Sequence, residues 1–228
     1  MLVLSLFPGI GMLDMAFEQE GFCVVRGPDL LWGGDIRTFH PTSGKFDGII
    51  GGPPCQAFST LQALQRARGY APKHGNMIPE FERCVLEAKP DWFLMENVTA
   101  APAPRVNGYS LQCEFVRDVW VGGETSRLRK FSFGSRAGWR LGIDVLALHR
   151  TDPALAVTSS DGGKSVRMAR YTVAEALKLS GLPADFFKDS PFTVDGQKKM
   201  IGNGVPLAMG RALAQAVKRA VGLVEIAA

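Results

Sequence analysis

Hydrophobic residues along the chain follow two kinds of spacing that alternate from the first residue onward. Short continuous apolar runs, bounded by glycine, proline or polar residues, predict buried strands; they lie at 1–6, 22–25, 46–50 and 91–95. Apolar residues at helical spacing predict amphipathic helices, which lie at 12–20, 78–88 and 205–221. Because strands and helices alternate, the pattern predicts an α/β fold with a doubly wound sheet.

A third spacing begins in the middle of the chain. Apolar and polar residues alternate at 111–117 and again at 129–133. Such alternation is typical of strands with one face buried, so we predict two half-exposed antiparallel strands late in the sheet. The sheet is therefore expected to be mixed rather than wholly parallel.

Length and composition limit the number of domains and the location of the protein. A chain of 228 residues with 46% hydrophobic content is expected to form one globular domain with at most a small appendage. No apolar run reaches the length of a membrane span. The apolar start at 1–17 lacks a basic leader and contains Asp14, which argues against a signal peptide. We therefore expect a cytoplasmic protein.

Net charge and cysteine content limit the possible partners and the redox compartment of the protein. A net charge of +4 and a pI of about 9.0 are compatible with a polyanionic partner without requiring one. The 4 cysteines lie far apart, without a Cys-x-x-Cys pair, and the chain has only 3 histidines. We therefore predict neither a metal site nor disulfides, and a reducing compartment.

One cysteine stands in an unusual setting. Cys55 lies in the run Gly51-Gly52-Pro53-Pro54-Cys55-Gln56-Ala57-Phe58-Ser59, directly after the predicted strand 46–50. Ligands of open α/β sheets bind at the carboxyl ends of strands, and the glycines and prolines impose a defined backbone path. A buried structural cysteine is the alternative, but the rare motif favours a reactive thiol.

Further motifs follow in an order that resembles the cytosine-5 DNA methyltransferases, particularly the short phage-encoded enzymes. The resemblance spans nearly the whole chain and includes Pro54-Cys55-Gln56. The other blocks are Leu6-Phe7-Pro8-Gly9-Ile10-Gly11, Glu96-Asn97-Val98, Arg127-Leu128-Arg129, Arg170-Tyr171-Thr172-Val173-Ala174-Glu175 and Gly202-Asn203-Gly204-Val205-Pro206. The chain departs from the family at Ser5, where an acid is usual, at Met12, where glycine is usual, and at Thr125, where glutamine is usual.

The resemblance implies a Rossmann-like fold of the S-adenosylmethionine-dependent type and a covalent mechanism. Cys55 would be the nucleophile that adds to carbon 6 of a flipped-out cytosine, which makes carbon 5 reactive toward a methyl group. Glu96, just after a buried strand, would supply a proton at ring nitrogen 3. Arg127 and Arg129 would project from one face of a strand toward the cytosine carbonyl, a phosphate or Glu96.

The cofactor implied is S-adenosyl-L-methionine, with S-adenosyl-L-homocysteine as product. Asp29 would hold the ribose hydroxyls, as an acid does in dinucleotide-binding folds, and Asp35 with Ile36 would face the adenine. The predicted cofactor-binding residues are Phe7, Gly9, Ile10, Gly11, Asp29, Asp35, Ile36, Pro53, Asn76, Asn203 and Val205.

We predict a catalytic core at 1–133, a short target-recognition region at 134–168 and a C-terminal part at 169–228 that returns to the core. A lid at 62–76 would close over double-stranded DNA, the expected partner of a monomeric enzyme. Basic residues of the recognition region, Arg136, Arg140, Arg150, Lys164 and Arg167, suit DNA, and the turn Asp161-Gly162-Gly163-Lys164 would enter a groove.

Three alternatives stay open at this point. The same scaffold could modify cytosine in transfer RNA, or it could be a catalytically inactive DNA-binding protein. An unrelated Rossmann-like oxidoreductase is the third, and the poor dinucleotide fingerprint argues against it. Restriction protection, host mimicry and regulation all remain open as biological roles.

Overall fold

The computed structural model describes residues 1–54, 75–146, 152–159 and 171–223. Within these ranges 6 strands form one sheet in the order β2-β1-β3-β4-β6-β5. The strands are β1 (Leu2–Leu6), β2 (Cys23–Arg26), β3 (Gly48–Gly51), β4 (Trp92–Asn97), β5 (Ser110–Arg117) and β6 (Leu128–Ser135). The pairs among β1 to β4 are parallel, whereas β6 is antiparallel to both β4 and β5. This arrangement confirms the doubly wound mixed sheet predicted from the sequence.

The helices of the described ranges flank this sheet. They are α1 (Met12–Gln19), α2 (Ile78–Ala88), α3 (Val173–Leu179), α4 (Val194–Asn203) and α5 (Leu207–Ala220). Hydrophobic spacing predicted α1, α2 and α5 but not α3 and α4, which are short or largely polar. The start of α3 did carry a local signature, because Thr172 and Glu175 form a capping box.

Two hydrophobic clusters hold α1, α5 and α2 against opposite faces of the sheet, and a third packs α3 and α4 against the starts of α1 and α5. On one face α1 and α5 cover the large aromatic residues, with Trp92 stacked between Phe17 and Phe133 at 6.3 Å from each ring. On the other face α2 packs Phe81 edge-on against Phe93. The chain's last described helix thus returns to its first, because α5 packs on α1.

Strand β6 is more deeply buried than alternation predicted. Six of its eight positions, from Lys130 to Ser135, are buried. The reason is its place in the sheet, because β6 is inserted between β4 and β5 and so has neighbours on both edges. The prediction of a half-exposed strand was therefore wrong for β6, whereas β5 at the sheet edge keeps exposed positions.

Within the described part of the chain, no helix combines the length and the apolar character needed to cross a membrane. The same residues contain no group of three or more His, Cys, Asp or Glu side chains arranged to hold a metal ion. Burial raises the pKa of the Cys84 thiol to about 11, which makes this cysteine a poor nucleophile.

Candidate active site

The carboxyl ends of β3 and β4 meet at one point of the sheet. Gly51 lies opposite Met95 in the parallel pair, so the chain leaves both strands side by side. The Asn97 side-chain amide donates to the Pro53 carbonyl over 3.1 Å, which joins the two exits. The next residue after Pro54 is Cys55, which lies outside the described residues, so the exit of β3 leads directly into the predicted nucleophile.

Glu96 is held at this point by an arginine from the neighbouring strand. Arg129 Nε lies 2.8 Å from Glu96 Oε1, and both side chains are largely buried. The second carboxyl oxygen, Oε2, faces Gly52, because a Cβ built on Gly52 would stand 3.1 Å from it. The structure thus brings together Glu96, Arg129 and the approach to Cys55, and charge-assisted pairing fixes the carboxyl's orientation.

Arg127 does not pair with Glu96 as Arg129 does, and the predicted shared role of the two arginines on one strand face stays a prediction. β6 begins at Leu128, and Arg127 lies just before it with only 4% of its surface exposed. Its guanidinium donates to the carbonyl oxygens of Val157 and Gly204, each over 2.8 Å, and of Gly202 over 3.0 Å. Arg127 therefore binds backbone of two distant segments, whereas Arg129 binds Glu96.

The loop after β1 is shaped by unusual backbone angles. Phe7 and Gly9 have φ of +56° and Gly11 has φ of +80°, in the left-handed region. A Cβ on Gly9 would meet no atom within 4 Å, so open space lies in front of this loop. The cofactor loop, residues 7–11, therefore presents bare backbone at the carboxyl end of β1.

Asp29 supports this loop from the chain that follows β2. Its Oδ2 accepts from the Gly9 amide and its Oδ1 from the Leu31 amide, both over 2.8 Å. The indole of Trp32 donates to the Gly9 carbonyl over 2.8 Å and remains 58% exposed. Asp29 thus lies beside the cofactor loop, where it already braces Gly9; its predicted contact with ribose stays a prediction.

The other predicted cofactor residues lie on three segments of the chain, at 35–36, at 76 and at 203–205. Asp35 is half-buried at its short helical turn, where a hydrogen-bonded ion pair with Arg37 lowers the pKa of its carboxyl to about 2. Ile36 behind it is buried in the α2 cluster. Asn203 is exposed at the end of α4, whereas the Val205 side chain is buried against α1 and α5. Asn76 accepts from the Ile78 amide over 3.0 Å at the start of α2.

A buried carboxyl under the cofactor loop was missed by sequence reasoning. Asp14 in the first turn of α1 is fully buried, accepts from Ser5 Oγ over 2.5 Å and pairs with Arg26 over 3.0 Å. Burial raises the pKa of this carboxyl despite the opposing bond from Ser5. Asp14 thus brings an acid to Ser5, where the family usually has an acid in the strand itself. The sequence feature that could have revealed this buried carboxyl is a single acidic residue among the apolar positions of the predicted helix 12–20.

Several predicted residues lie outside the described ranges. They are the nucleophile Cys55, most of the predicted lid, the turn 161–164, and Arg150, Lys164 and Arg167 of the recognition region. Their predicted roles stay predictions.

Comparison with known proteins decides the family. A sequence model described as C-5 cytosine-specific DNA methylase matches residues 32–112, which include the approach to Cys55 and Glu96. The chain is 31% identical over 128 residues to the type II methyltransferase M.HgiGI of Herpetosiphon aurantiacus, and the match covers 98% of that protein and 47% of this chain. The chain belongs to the C-5 cytosine-specific DNA methylase family.

This chain matches only part of the length of other relatives in the C-5 cytosine methylase family. Type II methyltransferase M.NgoPII of Neisseria gonorrhoeae is 35% identical over 126 residues, which is 47% of this chain and 36% of that protein. The chain thus spans about a third of the length of this relative.

Solved structures agree with this fold over almost the entire chain. The Entamoeba histolytica methyltransferase EhMeth superposes with a TM-score of 0.70 at 16% identity, covering 98% of this chain and 99% of that one. A putative DNA modification methyltransferase encoded within an Escherichia coli prophage gives a TM-score of 0.66 at 16% identity, covering 97% and 99%. At such identities the likeness shows the fold alone.

Proposed function

We propose that this protein is a DNA (cytosine-5-)methyltransferase that transfers a methyl group to carbon 5 of a flipped-out cytosine. The observation that carries the proposal is the pairing of Glu96 with Arg129 beside Gly52, at the start of the loop that leads into Cys55. Family membership supports the same reaction, and the relatives named above are type II methyltransferases.

The proposed chemistry assigns one role to each residue of this point. The Cys55 thiolate adds to carbon 6 of the ring, and the electron pair displaced makes carbon 5 nucleophilic. Glu96 holds a proton at ring nitrogen 3, where negative charge develops. Arg129 keeps the Glu96 carboxyl in position, and Asn97 fixes the exit of β3 through its bond to Pro53.

The residues after β1 and β2 fit S-adenosyl-L-methionine as the proposed methyl donor. Bare backbone at Gly9 opens on free space, which lets a ligand approach closely. Asp35 offers a carboxylate and Trp32 an exposed aromatic surface on the neighbouring segment. When bound, this cofactor supplies the electrophilic methyl group, and the residues named here hold it and exclude alternative orientations.

Double-stranded DNA is the proposed substrate, because the matching family model is that of DNA methylases. In a duplex the target cytosine would have to leave the base stack to reach Cys55. We propose that the enzyme is cytoplasmic and acts as a monomer. Light scattering of the free protein and of its DNA complex would test the oligomeric state. A transfer RNA substrate or an inactive binding protein would each contradict the proposal.

The decisive experiment measures methyl transfer from radiolabelled cofactor to matched DNA and RNA. Bisulfite sequencing of plasmid from expressing cells then locates the modified cytosine and its sequence context. Cys55→Ala should lose transfer and keep cofactor binding, because it removes the proposed nucleophile. Transfer to RNA but not DNA would favour the other substrate, and cofactor binding without transfer would indicate an inactive protein.

A covalent trap tests the nucleophile directly. With S-adenosyl-L-methionine present, DNA with 5-fluorocytosine at the modified position should give an adduct that survives denaturant. Once the methyl group is on carbon 5, β-elimination of the thiol needs loss of a proton from that carbon, and fluorine cannot leave as a proton. Mass analysis should place the adduct on the peptide that contains Cys55. An adduct on another cysteine would overturn the assignment.

A further inference from the structure

Among the described residues, three separate segments meet at the guanidinium of Arg127. The first is the chain that enters β6, the second is the segment 152–159, and the third is residues 202–204, at the end of α4 and before α5. Arg127 itself joins them by donating to the carbonyls of Val157, Gly202 and Gly204. We call this meeting point the Arg127 joint.

Backbone contacts show that the joint is closely built. The amide of Ser126 donates to the Ala154 carbonyl over 2.8 Å, and the Ala154 amide returns a bond to Glu124 over 3.1 Å. A Cβ on Gly202 would stand 2.2 Å from the Thr158 carbonyl carbon, so only glycine allows this approach. The segment 152–159 is therefore fixed on two sides.

The turn that precedes β6 is fixed by the buried carboxyl of Asp118. Asp118 Oδ2 accepts from the Thr125 amide over 2.9 Å and from its hydroxyl over 2.8 Å. A Cβ on Gly123 would stand 2.0 Å from Asp118 Oδ1, so the turn has no room for another side chain. Thr125, which stands where the family usually has glutamine, thus fixes the turn that carries Arg127.

The stretch from Thr125 to Arg129 consequently connects two functions. Arg129 fixes Glu96 at the catalytic point, while Arg127, two residues earlier, fixes the segment 152–159. That segment lies within 134–168, the predicted target-recognition region. Because Arg127 is 4% exposed, DNA phosphates and bases have no access to its guanidinium in this arrangement.

We infer that Arg127 is a positioning residue: it sets the recognition region and residues 202–204, at the end of α4, relative to Glu96 and does not contact the target base. The consequence for DNA selection rests on the proposed function. Loss of the joint should make site choice less accurate, because the recognition segment would no longer be registered with the catalytic carboxyl.

The test compares Arg127→Met and Arg127→Lys with Arg129→Lys and the unaltered protein. Hydrogen exchange on the free protein measures the joint without any assumption about function. Methylation of the DNA site found by bisulfite sequencing, and of sites with one base changed, gives a selectivity ratio. Reduced stability alone would lower the number of active molecules and leave this ratio unchanged.

We expect Arg127→Met to speed amide exchange at both 152–159 and 201–205, with the strands β1 to β4 unchanged. Its relative rate at changed sites should rise about tenfold, with the KM for the cofactor nearly constant. Arg127→Lys should recover part of the lost selectivity, and it carries the test if Arg127→Met does not fold. Arg129→Lys should lower the rate while keeping the ratio.

Unchanged exchange at either segment would overturn the joint. An unchanged selectivity ratio in both Arg127 variants, with normal selectivity in the unaltered protein, would overturn the positioning role. If the unaltered protein methylates no DNA, the proposed function fails, and the exchange result then judges the joint by itself.

Discussion

Two parts of the same sheet edge carry the proposed site, and they are built by different means. The cofactor loop is shaped by backbone, with left-handed φ at Gly9 and Gly11 and side-chain support from Asp29. The catalytic point between β3 and β4 is shaped by side chains, above all the ion pair of Glu96 with Arg129. The cofactor loop therefore depends on the absence of a Cβ, and the catalytic point depends on particular functional groups.

Replacing the catalytic carboxyl should have the largest effect. Glu96→Gln keeps the size of the side chain but loses the acid, so kcat should fall by about 10²–10⁴-fold while DNA and cofactor affinities stay within about threefold. Single-turnover kinetics and binding titrations measure these separately. Glu114→Gln is the control, because Glu114 lies on the edge strand β5, separated from β4 by β6, and accepts from the Gln112 side chain rather than from Arg129. A matching loss of DNA affinity would show that Glu96 is structural.

A methyl group on the cofactor loop should mainly weaken cofactor binding. At Gly11 a Cβ would stand 2.4 Å from Arg26 Nη2, and φ is +80°. Gly11→Ala should therefore raise the cofactor dissociation constant by about tenfold, which is a loss of ~1–2 kcal/mol in binding free energy. We expect kcat to stay nearly unchanged.

Gly21→Ala is the matched control for that loop. Gly21 has φ of +86°, but a Cβ there meets nothing within 4 Å. Calorimetry should find a loss of stability in both variants, because both have positive φ, and weaker cofactor binding only in Gly11→Ala. Equal cofactor affinity of the two variants would show that the cofactor loop does not bind the cofactor.

Removal of the brace under Gly9 should have a smaller effect. Asp29→Asn retains one acceptor oxygen where the native carboxylate serves both the Gly9 and Leu31 amides. We expect the KM for the cofactor to rise roughly three- to tenfold, as loss of one charged hydrogen bond would give. Asp185→Asn, at an exposed position, serves as the control. An unchanged KM would mean that Asp29 neither braces the loop nor binds the cofactor.

The smallest expected effect is the pH dependence of stability from Asp14. Burial raises the pKa of this carboxyl above its ordinary 3.8. The stability it contributes is therefore full below that value and declines as pH rises through the folded pKa. Urea unfolding from about pH 4 to about pH 7 should show unaltered protein losing stability relative to Asp14→Asn. A gain in the stability of the unaltered protein relative to Asp14→Asn as the pH rises would refute this burial effect.

Local sequence patterns were sufficient for the parallel half of the sheet. The strands β1 to β4 and the helices α1, α2 and α5 follow from spacing, because buried strands and amphipathic helices each need a fixed hydrophobic period. The motifs likewise identified Glu96 and Arg129 as neighbours in function. The short helices α3 and α4 escaped because few apolar residues mark their buried faces.

The amino-acid sequence by itself determined which chemical groups this protein has: a thiol after two prolines, an acid near the end of a buried strand, and a glycine loop after the first strand. Only the tertiary structure decided which partners the side chains of neighbouring residues contact. Arg127 and Arg129 are two residues apart in sequence, yet the start of β6 falls between them. One side chain meets backbone carbonyls from distant segments and the other meets Glu96. The reason is that long-range packing, which no local pattern encodes, places the partners of each charge.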